Sequence, residues 1–184
     1  KNQRIVVTGG TGFIGGHLVK KLLDNNNQVD VIDIKLHPKS FFALNKLNKT
    51  AKLHFIDIRN KLKIQQFIKK TQPDFIFHLA AQAIVEEAYS NPYDTLETNL
   101  MGTINLLESA RLSTNLKTII IASSDKAYGK KTGKYVETDQ LKGDHPYEVS
   151  KSGADLISNS YFVTYKTPVI ITRFGNVYGQ GDLN

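Results

Sequence analysis

Tyr147 and Lys151 stand four residues apart at the head of a predicted helix, so their side chains share one face. An ammonium beside a phenol stabilises the phenolate, which is a base for an alcohol proton. Tyrosine titrates near pH 10, so work near neutrality requires a fall of about three units, roughly 4 kcal/mol of differential interaction. The spacing alone carries little, because eight tyrosines and 20 lysines in 184 residues make roughly one such pair by chance. Its placement carries more: the pair opens a helix just after the loop of a predicted fifth strand. That strand ends in Ala122-Ser-Ser-Asp-Lys-Ala-Tyr-Gly129, which puts Ser124, Asp125 and Lys126 at its carboxyl end. In open parallel sheets, ligands and catalytic groups gather there. A hydroxyl orients a substrate alcohol, a protonated carboxyl donates to a leaving group, and a lysine of lowered pKa abstracts a proton. The same residues also suit a polar turn with a solvated ion pair, and on residue types the two readings stand level.

Such groups need a ligand held beside them, and the amino-terminal stretch Arg4-Ile-Val-Val-Thr-Gly-Gly-Thr-Gly-Phe-Ile-Gly15 provides for one. Ile5, Val6 and Val7 suit a buried strand. Glycines at 9, 10, 12 and 15 form a turn, and Leu18, Val19, Leu22 and Leu23 follow a helical period. Strand, glycine turn and helix make the dinucleotide fingerprint, in which backbone approaches a pyrophosphate and a helix N-terminus faces its charge. A second strand, Gln28 to Ile34, carries Asp33 eighteen residues past Gly15. A carboxylate there accepts from the adenosine ribose and repels a 2′-phosphate, which favours NAD over NADP, while nearby Lys35 works the other way.

Further strand-like runs recur at helix-sized intervals: Leu53–Ile56, Asp74–Leu79, Thr118–Ala122 and Pro168–Thr172. Helical stretches run from Leu62 to Lys70, Thr95 to Leu112 and Glu148 to Tyr165. Alternation of this kind predicts an α/β fold, a doubly wound parallel sheet with helices on both faces and strand order 3-2-1-4-5-6. The loops Lys35–Lys52 and Gly129–His145 are long for such units and read as candidate lids.

The formal charge of +7 is spread as single and paired lysines from Lys1 to Lys166, which argues for solvated surface rather than a nucleic-acid footprint. No apolar run approaches a membrane span, and no signal-peptide pattern opens the chain. The absence of cysteine excludes disulfides and thiolate metal sites and makes a cytoplasmic location the default. The five histidines include no pair at metal-ligand spacing, so no metal site is expected. The chain opens on Lys1 and stops at Asn184 soon after the sixth strand. Residues 1–184 therefore read as a trimmed cofactor-binding domain, inactive without a further substrate-binding segment.

Taken together, Thr8-Gly-Gly-Thr-Gly-Phe-Ile-Gly15, Asp33, Asp57-Ile58, His78-Leu-Ala-Ala-Gln82, Asn99, Ser123-Ser124, Tyr147/Lys151 and Arg173-Phe-Gly-Asn-Val-Tyr-Gly179 resemble the extended short-chain dehydrogenases/reductases acting on nucleotide sugars. The resemblance implies a Rossmann domain with bound NAD. Gly9, Thr11, Gly12, Phe13, Ile14, Gly15, Asp33, Asp57, Ile58, Leu79, Ala80, Ala81, Gln82 and Asn99 would line the cofactor site with Tyr147 and Lys151. It also implies a nucleotide-sugar substrate, and homodimers joined through the helix containing Leu100, Ile104 and Leu107 and the helix after Tyr147. Within the family, Ala81–Tyr93, Ser124-Asp125-Lys126 and Leu141–Tyr147 resemble the CDP-glucose 4,6-dehydratases, while Leu183 stands where tryptophan is expected.

The implied reaction is C4 oxidation with Tyr147 as base, Ser124 holding the oxygen and Lys151 tuning the phenol. Lys126 would then remove the C5 proton, Asp125 would protonate the departing C6 hydroxyl, and hydride would return to C6. Two alternatives stay open. A 4-epimerase needs Tyr147 and Lys151 but not Asp125 and Lys126, and a non-catalytic dinucleotide-binding protein needs none of the set.

Overall fold

The computed structural model describes residues 2–182; Leu183, singled out above, lies outside them. Six strands alternate with helices. They are β1 (Arg4–Thr8), β2 (Gln28–Asp33), β3 (Lys52–Phe55), β4 (Phe75–His78), β5 (Thr118–Ser124) and β6 (Val169–Phe174). All pairings are parallel and the order is β3-β2-β1-β4-β5-β6, the expected doubly wound arrangement.

Side chains alternate across the sheet, and at its centre both faces are covered, which explains why Ile5, Val6 and Val7 run apolar without alternation. Val6, paired with Ile76, joins Ile32, Ile119 and Ile121 on one face. Helices α3 (Lys61–Thr71) and α6 (Gly102–Arg111) cover that face with Ile64, Ile68, Leu106 and Leu107. Ile5, Val7, Val29 and Val31 point the other way, toward Val19 of α1 (Phe13–Asp24) and Phe42 of α2 (Phe41–Leu44). Full burial of each such side chain contributes roughly 1.5–3 kcal/mol.

The loop 35–52 is not a lid. Phe42, Leu47 and Ala51 belong to the core, and Ser40 caps α2 by accepting from Ala43 N. Its apolar residues are packing residues, a role that loop length alone does not reveal.

The stretch expected as one helix over 95–112 has three parts. α4 (Val85–Ser90) precedes it; α5 (Pro92–Leu96) then runs through a π turn at Glu97–Met101 into α6. Such an insertion widens the helix by one residue, and π turns cluster at functional sites. The last helix, α7 (Pro146–Tyr165), starts with Pro146 in its first turn and stops at Lys166, which is left-handed at φ 57°. Among the described residues no helix is long and apolar enough to cross a membrane.

Candidate active site

The carboxyl ends of β1 and β4 meet beside the glycine turn that opens α1, with β5 next to β4 in the sheet. Gly9 takes φ +70°, and a Cβ there would lie 2.7 Å from Ala80 N. A Cβ on Gly15 would overlap the Gly9 carbonyl, so only glycine lets α1 start this close to the turn. No side chain caps α1, which leaves the first N–H groups for an anion. Thr11 donates to Asp33 Oδ2 from its amide (3.1 Å) and its hydroxyl (2.6 Å), while Ile34 N donates to Oδ1 (2.8 Å). Three donors thus fix the Asp33 carboxylate beside the glycine turn. Phe13 sits edge-on to His17, and Ile14 is 37 % exposed at the rim.

Asp57 follows β3, but its carboxylate is already engaged. Arg59 clamps both oxygens, Nε at 3.1 and 3.0 Å and one terminal nitrogen at 2.7 Å. That charged bond holds Asp57 below the usual carboxylate range. Another guanidinium nitrogen reaches Glu97 at 3.1 Å, tying the β3 end to the π turn. Ile58 is a core residue packed where a Gly102 Cβ would sit, and its carbonyl accepts from Asn105. Any role of Ile58 toward a ligand therefore falls to its main chain.

Leu79, Ala80, Ala81 and Gln82 continue from β4 beside the glycine turn. Ala80 N donates to Thr8 Oγ1. Asn99, in the π turn, accepts from Gln82 N (2.8 Å) and donates to Gln82 O (2.9 Å) and to Ser150 Oγ (2.8 Å). Behind it the proton order follows by elimination. Thr103 donates its hydroxyl to Asn99 O (2.6 Å), so it accepts from His78 Nε2 (3.1 Å), and His78 Nδ1 accepts from Thr8 Oγ1 (2.8 Å). Burial keeps His78 neutral, its pKa pushed down to about 3. A buried chain of polar contacts therefore runs from β1 to α7, where Ser150 bonds the Tyr147 carbonyl. Gln82 Oε1 and Ser123 Oγ are buried with no partner among the described residues, polar atoms that a polar ligand would satisfy.

Ser124, Asp125, Lys126, Tyr147 and Lys151 lie together at the carboxyl end of β5 and the first turns of α7. A 3-10 turn, Asp125–Tyr128, leaves β5 with Ser124 Oγ as its cap, accepting from Lys126 N. Ser124 donates to Asp125 (3.2 Å), and Lys126 Nζ lies 3.5 Å from Asp125 Oδ2. Lys151 Nζ stands 5.9 Å from the Tyr147 ring centre and donates to Ala122 O at 3.4 Å. The expected fall of the Tyr147 pKa is not what the fold alone produces. Burial pushes the phenol up, a hydrogen bond with Ser124 draws it down, and Asp125 pushes it up again. Burial also lowers Lys151 to about 8. Burial thus works against charge on both groups, and Lys151, still protonated below about pH 8, is the cation nearest the Tyr147 ring.

Residue types at their spacing did not announce Ser150, Thr103 or Arg59 as parts of this site. A serine and a threonine within helical stretches were the available signals, because neither residue favours a helix unless its hydroxyl is used.

Comparison with known proteins gives consistent relationships. The family described as GDP-mannose 4,6 dehydratase matches residues 6–182. A CDP-glucose 4,6-dehydratase of Salmonella typhimurium is 33% identical over 195 residues, covering 99% of this chain and 54% of that protein. A double mutant of the Streptomyces venezuelae dTDP-glucose 4,6-dehydratase DesIV, solved with NAD, superposes with TM-score 0.87 at 30% identity, covering 97% of this chain and 57% of that one. UDP-glucose 4-epimerase from Thermotoga maritima, solved with UDP-glucose, gives 0.86 at 30%, covering 96% and 57%. The chain spans about half the length of the curated relatives it matches.

Proposed function

Because this chain belongs to the GDP-mannose 4,6 dehydratase family, among the NAD-dependent epimerases and dehydratases, we propose that it is the cofactor-binding portion of a nucleotide-sugar 4,6-dehydratase of the CDP-glucose type. The observation that carries this reading is the Asp125–Lys126 pair beside the Tyr147–Lys151 face. Alcohol oxidation needs one base; a second acid–base pair is what elimination of water adds.

NAD fits the residues present. The uncapped first turn of α1 suits the pyrophosphate, and Asp33, held by Thr11, suits ribose hydroxyls. When bound, the oxidised nicotinamide would supply a hydride acceptor and a positive charge in addition to that of Lys151. Tyr147 takes the proton of the C4 hydroxyl, and Ser124 holds the same oxygen. The C4 ketone acidifies C5; Lys126 removes that proton, and Asp125 gives a proton to the C6 hydroxyl, which leaves as water. With the cofactor in place, a hydride given back at C6 and a proton at C5 would complete a product that differs from the substrate by one water. A neutral amine with a carboxylic acid holds the same single proton as an ammonium with a carboxylate. The pair can therefore take up its acid and base roles by internal transfer, which exclusion of water favours.

The 4-epimerase alternative shares the Tyr147–Lys151 face and is separated by product. Incubating the full-length protein with CDP-, UDP-, dTDP- and GDP-sugars should give a 4-keto-6-deoxy product from one of them; an epimer with no loss of water would reject the dehydratase reading.

We also infer a homodimer. Val149, Leu156 and Val163 fall at heptad spacing along α7 and are 43 %, 57 % and 55 % exposed, with Met101 exposed on the neighbouring helix. An apolar stripe of this kind suits helix-to-helix association. Leu107, on the helix expected to join it, points into the core instead.

A further inference from the structure

We propose that Arg173 is a positioning residue for the elimination half of the reaction, holding the turn that carries Asp125 and Lys126 against the helix that carries Tyr147. This deepens the dehydratase reading and rests on it.

Arg173 leaves β6 and binds three segments at once. Its Nε and one terminal nitrogen clamp Asp155 of α7 at 2.7 and 3.0 Å. Asp155 is 1 % exposed and lies eight residues past Tyr147 and four past Lys151, so the three share the inner face of the helix. The other terminal nitrogen donates to Tyr128 Oη at 2.7 Å and to Glu137 O at 3.0 Å. The guanidinium carbon also lies 5.0 Å from the Tyr128 ring centre. Tyr128 is the last residue of the 3-10 turn, buried and stacked on Tyr135, whose hydroxyl donates to Gly129 O. At its other end the turn hangs from Ser124. Arg173 therefore fixes the far end of a four-residue segment whose first two members are the proposed acid and base. Ser124, Tyr147 and Lys151 are held by β5 and α7 and make no contact with Arg173 among the bonds described. Arg173 thus reaches the turn directly, through Tyr128, and the oxidation residues only through the elements that carry them.

A planar guanidinium reaches all these acceptors together, whereas an ammonium on a flexible stem does not. Arg173→Lys keeps a cation beside buried Asp155, and Tyr128→Phe removes one bond without touching that pair. The test is stopped-flow mixing of the full-length protein, loaded with NAD, with CDP-glucose, or with whichever nucleotide sugar of the panel it dehydrates. Reduced-nicotinamide absorbance and 4-keto-6-deoxy product are followed together. Both variants should slow product formation by about tenfold or more, as misplacement of a catalytic group by on the order of 1 Å does, while reduced nicotinamide accumulates at the unaltered early rate. A parallel loss of early oxidation and product, or no loss of either, overturns the assignment of Arg173. Lys126→Met is run beside them: unchanged turnover in that variant rejects Lys126 as the base, a failure distinct from that of Arg173.

Discussion

Lys151 Nζ lies 5.9 Å from the centre of the Tyr147 ring, and burial drives both groups the same way, toward their uncharged forms. The lysine's folded pKa of about 8 is below its ordinary 10.5. The unfolded chain thus binds more protons between those values, and stability rises with pH across that window. Below about pH 8 the charged lysine costs the fold its full penalty, on the order of 3 kcal/mol at 1.36 kcal/mol per unit. Lys151→Met should therefore stabilise the chain at pH 7 by roughly 1–3 kcal/mol while removing activity. Urea unfolding at pH 7 and pH 10 checks this; the gain should shrink at the higher pH, and no gain at pH 7 contradicts it.

His78 acts at the acid end. Its folded pKa of about 3 lies below the usual 6.5, so it leaves stability untouched above pH 6.5 and costs stability as pH falls from there toward 3. The full loss is up to roughly 5 kcal/mol. His78→Gln should flatten the acid limb of the stability profile between pH 6 and 4, on the scale of the window just given. An identical slope in both proteins would count against a neutral buried imidazole.

Asp33 is predicted to hold the ribose by charge-assisted hydrogen bonds, each worth about 1.5–3 kcal/mol. Asp33→Ala should weaken NAD by roughly ten- to a hundredfold, and the discrimination against NADP should fall with it. Calorimetric titration with both dinucleotides reads this directly. Thr11→Val, which removes the 2.6 Å hydroxyl bond to the same carboxylate, should reproduce a smaller part of the loss.

Leu156 sits in the middle of the exposed stripe on α7. Leu156→Glu should convert a dimer to a monomer in sedimentation without altering the far-ultraviolet spectrum of the fold. Unchanged sedimentation of a dimeric protein would place its interface elsewhere.

The sheet and the glycine turn could be read in advance because each depends on local signals. The first strand needs no long-range knowledge: Ile5, Val6 and Val7 are apolar on both faces, and Gly9 and Gly15 occupy places a Cβ cannot. Tyr147 and Lys151 were legible because helix periodicity fixes what residues four apart share. Three features were not. Phe42 looked like part of a loop, and only the groove beside α1 makes it core. The bond between Asp57 and Arg59 depends on a turn two residues long, and the reach of Arg59 to Glu97 on the fold around it. The raised Tyr147 pKa reflects burial beneath the β5 turn, whereas spacing reports only the neighbouring lysine.

The widened turn at Glu97–Met101 has a consequence for mutation. Asn99 meets both Gln82 and Ser150 from within it. Deleting one residue there would restore ordinary helical winding and close the widened turn while leaving α5 and α6 facing much as before, because the turn holds one residue more than α winding needs. A one-residue deletion in this segment should thus draw Asn99 back from the strand β4 loop and from α7 together, a larger injury than replacing Asn99 itself.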